Sequence, residues 1–294
     1  MLVTAPPRLD ESGAEELFAR IARQPAVPEA IDCSQSRFVD PSGVLALLSI
    51  GLSAPYRHER AWGLELPREP AVLSWLERCG ARRLIDELFI VAGPPRDGDV
   101  SPRDQERDPV LLDLSLVREG ADIHRAVARI KGRAELLLVS RLGYSGLAAD
   151  RFTVALSEIC QNVVDHSGSA GLALAQCYQR AGGETEIRLA VADVGIGVRA
   201  SLAPRYAAGH IGTWDDRAAI KLAFQPGVTG SGNPDRGLGL PAVADMVRAW
   251  GGALRLRSGT AACTVGARPS ERAGLAAFPG TQVSIRLPHA AGGG

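Results

Sequence analysis

Apolar positions along the chain alternate between a helical and a strand period. Glu11 to Ala22 sets Leu17, Phe18 and Ile21 at helical spacing, and either Asp10 or Ser12 can cap its start. Ala30-Ile31-Asp32-Cys33 reads as a short buried strand, and Phe38 to Gly43 then turns into an apolar helix from Val44 to Leu52. Trp62 to Leu66 gives another strand. Glu69 to Cys79 gives another helix, with Val72, Leu73 and Leu76 facing inward and Gly80 at its end. This alternation predicts an α/β layer domain over residues 1–93. Residues 94–109 are rich in proline, glycine and charge and show no period, so they are read as a linker.

Beyond the linker, Val110 to Leu116 reads as a strand and Asp122 to Leu142 as a long helix burying Ile123, Val127, Ile130, Leu137 and Leu138. A helix through Ala155 to Ser167 follows, then a strand from Glu186 to Asp193. A glycine-containing helix start leads to Trp250, where Gly251 and Gly252 stop the helix. Leu254 to Ser258, Cys263 to Val265 and Thr281 to Leu287 complete a run of strands. Helices and strands therefore share one sheet, and residues 110–288 are predicted to be an α+β sandwich with a flexible tail over 289–294.

Composition narrows the function classes. The 294 residues carry 33 basic and 33 acidic side chains, so no bulk field draws the chain to nucleic acid or to an anionic membrane surface. Small-molecule and protein partners are expected instead. The start has neither a basic nor an apolar segment, and no run approaches the roughly 20 apolar residues of a membrane span, which predicts a soluble cytoplasmic protein. The five cysteines, Cys33, Cys79, Cys160, Cys177 and Cys263, are scattered without a CxxC pair and are read as buried thiols.

Three stretches carry candidate chemistry. At 100° per residue, Glu158, Asn162 and Asp165 or His166 fall on one side of their helix, while Phe152, Leu156, Ile159 and Val163 fall on the other. A carboxylate and a carboxamide one turn apart can serve phosphoryl transfer: the amide oxygen takes a Mg²⁺ position and the carboxylate orients or deprotonates a nucleophile. Asp193, at a strand end, can accept from an exocyclic amine, and Gly195 and Gly197 let bare backbone approach a flat ring. Gly237-Leu238-Gly239 opens a helix whose amides and dipole can meet phosphates. His166 can face the same phosphates or serve as a dipole partner at its helix end. Arg236 can reach a phosphate or lie solvated in the loop before Gly237.

The order of a Glu/Asn helix, an Asp-x-Gly-x-Gly strand end and a glycine-rich helix start resembles the GHKL ATPase domain of histidine kinases, gyrase, Hsp90 and the anti-sigma-factor serine kinases. The resemblance covers residues 110–288. It implies ATP and Mg²⁺ as cofactors, Glu158 as catalytic carboxylate, Asn162 as Mg²⁺ ligand, Asp193, Gly195 and Gly197 around adenine, and Gly237 and Gly239 at the phosphates. Thr281, after Gly280, is implied near the adenine. The forty or so residues before Gly237, with a helix from Trp214 to Phe224 and a loop from Gly227 to Pro234, are implied as the lid. His124, alone on the long helix, lacks the neighbours of a phosphoacceptor histidine.

The first domain resembles the STAS domain of sulphate transporters and anti-sigma-factor antagonists, through Arg8-Leu9-Asp10, Ile31-Asp32-Cys33-Ser34, Phe38 to Gly43 and Leu76 to Gly80. In that family the serine before the motif glycine is often phosphorylated. Ser42 matches it, although Pro41 departs from the pattern, and Ser42 can equally cap the following helix. Together the resemblances imply a Mg-ATP-dependent anti-sigma-type serine kinase acting on a STAS domain or a sigma-factor-type partner. A non-phosphorylating ATP-dependent switch or scaffold and a histidine-kinase-like or clamp ATPase stand as alternatives, and homodimerisation stays open.

Overall fold

The computed structural model describes residues 1–53, 61–93, 110–179, 185–230 and 237–290. The N-terminal region runs β1 (Leu2–Thr4), β2 (Arg8–Leu9), α1 (Glu11–Ala22), β3 (Ala30–Asp32), β4 (Phe38–Val39), α2 (Pro41–Leu52), β5 (Gly63–Glu65), α3 (Pro70–Arg78), α4 (Ala81–Leu88) and β6 (Ile90–Ala92). Four of these strands form a parallel sheet in the order β1-β3-β5-β6, and β2 pairs with β4. The alternation over this region thus yields an α/β layer. Asp10 is the cap of α1, accepting from the Ser12 and Gly13 amides. Three elements emerge in this sheet layer that the periodicity had not separated: β1, β6, and α4, set off from α3 by the left-handed Gly80.

The C-terminal region contributes β7 (Val110–Val117), α5 (Gly120–Ala134), α6 (Gly146–Asn162), β8 (Gly171–Gln179) and β9 (Thr185–Asp193). It continues through α7 (Gly197–Tyr206), α8 (Asp216–Ala223), α9 (Gly239–Ala249), β10 (Ala253–Gly259), β11 (Ala261–Gly266), β12 (Ser270–Arg272) and β13 (Phe278–Pro288). Its seven strands form one antiparallel sheet in the order β12-β11-β10-β13-β9-β8-β7. Strand alternation gives the sheet two distinct faces. Leu189 and Val191 of β9, Leu254 and Leu256 of β10, and Val283 and Ile285 of β13 face a core shared with Ile130, Phe152, Leu156 and Val247 of the helices. The opposite face, with Leu172, Leu174, Ala190, Ala192 and Phe278, joins the core of the N-terminal region.

The element laid on that second face is α2. Its sequence is apolar all round, as a helix must be when every side is covered, and Val44, Leu45, Ala46, Leu48 and Ile50 are completely buried. It packs on β8, β9 and β13. Polar pairs surround the contact. Glu15 of α1 accepts from Arg255 at 2.7 Å and Arg257 at 2.6 Å, Arg188 donates to Asp40 at 2.7 Å, and Arg286 meets Glu11 at 3.3 Å. Burial disfavours the Arg188 cation, but Asp40 and Glu186 more than offset this and hold it protonated.

This packing corrects both readings of Ser42. The cap of α2 is Asp40, which accepts from the Gly43 amide at 3.0 Å. Ser42 is 3% exposed and donates across the interface to Ser284 Oγ at 3.0 Å, while its carbonyl accepts from Gln282 at 3.2 Å. A phosphoacceptor must reach solvent or an active site, and here the hydroxyl is sealed between two layers. The tail is also tied at its start: the Ala290 amide donates to Leu142 O at 2.8 Å, and residues 291–294 lie outside those described. So does the whole of the linker, 94–109. No helix among the described residues is long and apolar enough to cross a membrane. The five cysteines are free, and Cys263 alone among them is partly exposed.

If the N-terminal layer is the cover of the sheet, a fragment of residues 110–294 should present Leu172, Leu174, Ala190 and Phe278 to water and associate on sizing chromatography. A folded monomeric fragment melting with the full chain would contradict this. Leu48→Ala in the full chain should cost about 2–5 kcal/mol in urea unfolding.

Candidate functional site

Ser258, Thr281, Asp193 and Gly171 pair in succession across β10, β13, β9 and β8. The alternation that buries Leu256, Val283 and Val191 one step away turns this row toward the helices as well. Above it lies a cavity of about 510 Å³, lined by Asp193 and Thr281 from the sheet and by Glu158, Asn162 and His166 from α6 and its C-terminal turn. Gly197 at the start of α7 and Gly237, Leu238 and Gly239 at the start of α9 complete the polar rim. Ile159, Val163, Leu202, Leu256 and Val283 make its walls apolar. The size and the few converging polar groups suit a small organic ligand.

Asp193 is the buried polar anchor, 6% exposed. Its Oδ1 accepts from the Gly195 amide at 2.8 Å. Burial pushes its carboxyl up to about 6, against the pull of amide hydrogen bonds from Gly195 and Thr281. Two glycines make this packing feasible. Gly280 has φ +87°, and a Cβ there would fall 2.6 Å from Asp193 Oδ1. At Gly195 a Cβ would fall 2.0 Å from Ser167 O, against which the loop lies, with the Ile196 amide donating to the same carbonyl at 3.0 Å. Gly195 thus supports Asp193 from behind and does not line the cavity.

The end of α6 departs from regular helix. Ser145 caps its start, and after Asn162 the chain widens into a π-helical turn, Val163–Ser167, closed by left-handed Gly168. A widened turn advances less per residue than 100°, so positions beyond Asn162 no longer follow the projection. His166 enters the cavity lining, while Asp165 stays exposed and accepts from Gln161 at 2.8 Å, which corrects its placement in the site. Burial lowers the His166 pKa, disfavouring the imidazolium form. Glu158 and Asn162 precede the widened turn and both line the cavity. Glu158 also abuts α9, since a Cβ on Gly239 would come 2.3 Å from its Oε2. Arg236, with the preceding residues 231–235, lies outside the described residues.

Two features escaped the sequence reading. Helix α7 begins directly at Gly197, in a stretch the periodicity left without an element, and Ser258 secures it, accepting from the Val198 amide at 3.0 Å and donating to Gly280 O at 2.8 Å. A serine inside a strand carries no distinctive signal, whereas Arg199-Ala-Ser-Leu-Ala is a plain helix-former run.

Residues 148–291 match the family model described as Histidine kinase-, DNA gyrase B-, and HSP90-like ATPase. That match supports ATP binding by this part of the chain; no family match covers the N-terminal region. Neither the search of curated proteins nor that of solved structures finds a match.

The Asp193 carboxyl titrates near 6 in the folded chain, above its ordinary value. The stability this gives is fully present below about pH 4 and is lost as the pH rises through about 6. Asp193→Asn, a neutral isostere, should therefore be more stable than wild type at pH 7 by about 2–3 kcal/mol and nearly equal to it at pH 4. Urea unfolding at both pH values checks this, and parallel curves for the two proteins would contradict it.

Proposed function

We propose that the chain is a Mg-ATP-dependent phosphoryl-transfer protein of anti-sigma serine kinase type, acting on a hydroxyl of a protein partner. One observation carries the proposal: a buried, ionisable Asp193 at the base of an apolar cavity that also holds the Glu158/Asn162 pair. The residues fit the nucleotide. A carboxylate enclosed by Ile159, Leu256 and Val283 suits a flat heterocycle with an exocyclic amine, because the ring fills the apolar space and the amine meets the charge. Leu238, Gly239 and Leu240 carry the first backbone N–H groups at the start of α9, which has no side-chain cap and suits a phosphate chain.

Among the described residues no group of three or more His, Cys, Asp or Glu side chains could hold a metal ion. Mg²⁺ here would take its negative charge from the phosphates, with the Asn162 amide oxygen as its protein ligand. ATP supplies the transferable phosphoryl group. Glu158, exposed at the cavity mouth, would accept the proton of an incoming hydroxyl as its oxygen bonds to the γ-phosphorus and ADP leaves, and Leu238 and Val154, 58% and 60% exposed, flank it with apolar surface. The acceptor is read as a residue of another molecule, since Ser42 is sealed under the sheet.

A second reading is favoured by that same seal. With the N-terminal layer, read as STAS-like, packed behind the nucleotide strands, nucleotide state can be communicated by contact without phosphoryl transfer.

Asp193→Asn should weaken ATP binding by about 1–3 kcal/mol in a calorimetric titration. Asn162→Ala should abolish the dependence of that affinity on Mg²⁺. Glu158→Ala should keep the affinity and lose phosphate transfer or release, because it acts on the transition state. Unchanged affinity in Asp193→Asn would remove the adenine assignment. Full turnover in Glu158→Ala would leave the switch reading.

A further inference from the structure

We propose that docking of the N-terminal region preorganises the nucleotide cavity through one clamped β-bulge, with Ser258 as its positioning residue and the Glu15–Arg257 pair as the latch that holds it from behind. The inference rests on the reading of the cavity as a nucleotide site.

The register between β10 and β13 slips between Ser258 and Gly259. Ser258 pairs with Thr281, whereas Gly259 already pairs with Phe278, so Pro279 and Gly280 bulge from the ladder. That bulge sets the cavity, since it carries Gly280 against Asp193 and precedes Thr281. Consecutive residues grip it from opposite faces. On the cavity face, Ser258 Oγ donates to Gly280 O and accepts from the Val198 amide, joining the bulge to the first turn of α7. On the far face, Arg257 donates to Gly259 O at 2.5 Å, to Ala261 O at 3.3 Å and to Ala276 O, bracing the same turn.

Arg257 is itself held by the N-terminal region. Its Nε donates to Glu15 Oε1, and Arg255, two residues back on the same face, donates to the same oxygen. Arg257 is 2% exposed, so without Glu15 its charge would be enclosed with carbonyl partners alone. The turn after Gly259 is tied to the lid as well: Asp216 of α8 accepts from the Thr260 amide and hydroxyl at 2.8 Å, and Arg199 of α7 meets the same carboxylate at 3.3 Å. A charge pair made by α1 thus fixes a four-residue segment from which the adenine-side bulge and both lid helices are suspended. The N-terminal region acts as a structural cofactor of the cavity, and its release loosens the lid.

The experiment uses the full chain as Glu15→Gln, Ser258→Ala, the double variant, and Arg286→Ala. Arg286 meets Glu11 at the same interface but pairs with Ala253 at the opposite end of β10, so its loss removes one partly exposed interface ion pair while leaving the docked layer and the bulge in place. Amide exchange without nucleotide is read at Val198, and affinity is read with a fluorescent ATP analogue. Glu15→Gln and Ser258→Ala should each speed Val198 exchange about tenfold and weaken nucleotide binding about fivefold or more. The double variant should be no weaker than Ser258→Ala, the non-additivity expected of one path. Arg286→Ala should match wild type in both readouts.

A folded Glu15→Gln protein with wild-type exchange at Val198 and wild-type affinity would overturn the proposal, as would equal effects from Arg286→Ala. If Glu15→Gln does not fold, Glu15→Asp replaces it, keeping the charge one methylene short of the arginines, with the same expected and overturning outcomes. Because exchange at Val198 is read without nucleotide, it reports on the latch whatever the cavity binds. Altered exchange with Asp193→Asn still binding ATP like wild type would retain the latch and reject the nucleotide reading, whereas unaltered exchange with Asp193→Asn impaired would do the reverse.

Discussion

The structure depends on burying both faces of one antiparallel sheet. Strand geometry forces successive side chains to opposite sides, so every residue of β9, β10 and β13 belongs either to the cavity layer or to the N-terminal layer. Val191, Leu256 and Val283 lie on the first side, and Ala192, Arg257 and Gln282 on the second. The candidate site and the docking surface are consequently interleaved at single-residue spacing on the same strands. A shift of β13 by one residue would exchange Thr281 for Gln282 and dismantle both at once. A sheet fixed from two sides gives the cavity floor a rigidity that a one-sided sheet with a wet face lacks.

Against that rigid floor, Asp193 is a deliberate inconsistency. Its carboxyl is buried under apolar walls with amide donors, and burial outweighs them enough to raise its pKa to about 6. A folded chain at neutral pH thus carries an ionised group in a place that disfavours it. Such a cost is tolerable where a ligand relieves it, because an amine donor meeting the carboxylate recovers part of the lost hydration. The apolar walls and the charged base act together: walls without the charge would accept any flat ring, and the charge without walls would stay hydrated and discriminate little.

Local chemistry made much of this visible in the sequence. The helix from Glu11, the helix that carries Glu158, the strand ending at Asp193 and the glycine pair at 237 and 239 follow from periodicity and punctuation, and the α/β and α+β regions follow from their order. What stayed hidden depended on the partner of a segment. Strand β8, Gly171-Leu-Ala-Leu-Ala-Gln-Cys-Tyr-Gln179, is buried on both faces and so has no polar alternation to announce it. Asp165 was misplaced because a projection at 100° per residue assumes a regular helix, and the π-turn at Val163 ends that regularity. Arg257 and Ser258 look like any polar pair in a strand until Glu15 and the bulge are brought to them.

The all-round apolar character of α2 is the clue that links these cases. A helix at the surface of an independent domain should show a polar stripe, and Pro41-Ser-Gly-Val-Leu-Ala-Leu-Leu-Ser-Ile-Gly-Leu52 has none. That absence means a second layer must exist, and the other long partly unexplained apolar surface in the chain is the sheet that contains β8. The two unexplained surfaces satisfy each other. By the same logic Ser42 belongs to the interface, because a hydroxyl in an otherwise apolar contact is tolerated where a polar partner faces it, and Ser284 and Gln282 supply that partner, whereas Ser49 satisfies its hydroxyl within the helix on Leu45 O. The same complementarity that places the helix therefore seals its hydroxyl, because the partners that make burial of Ser42 tolerable lie on the opposing strand.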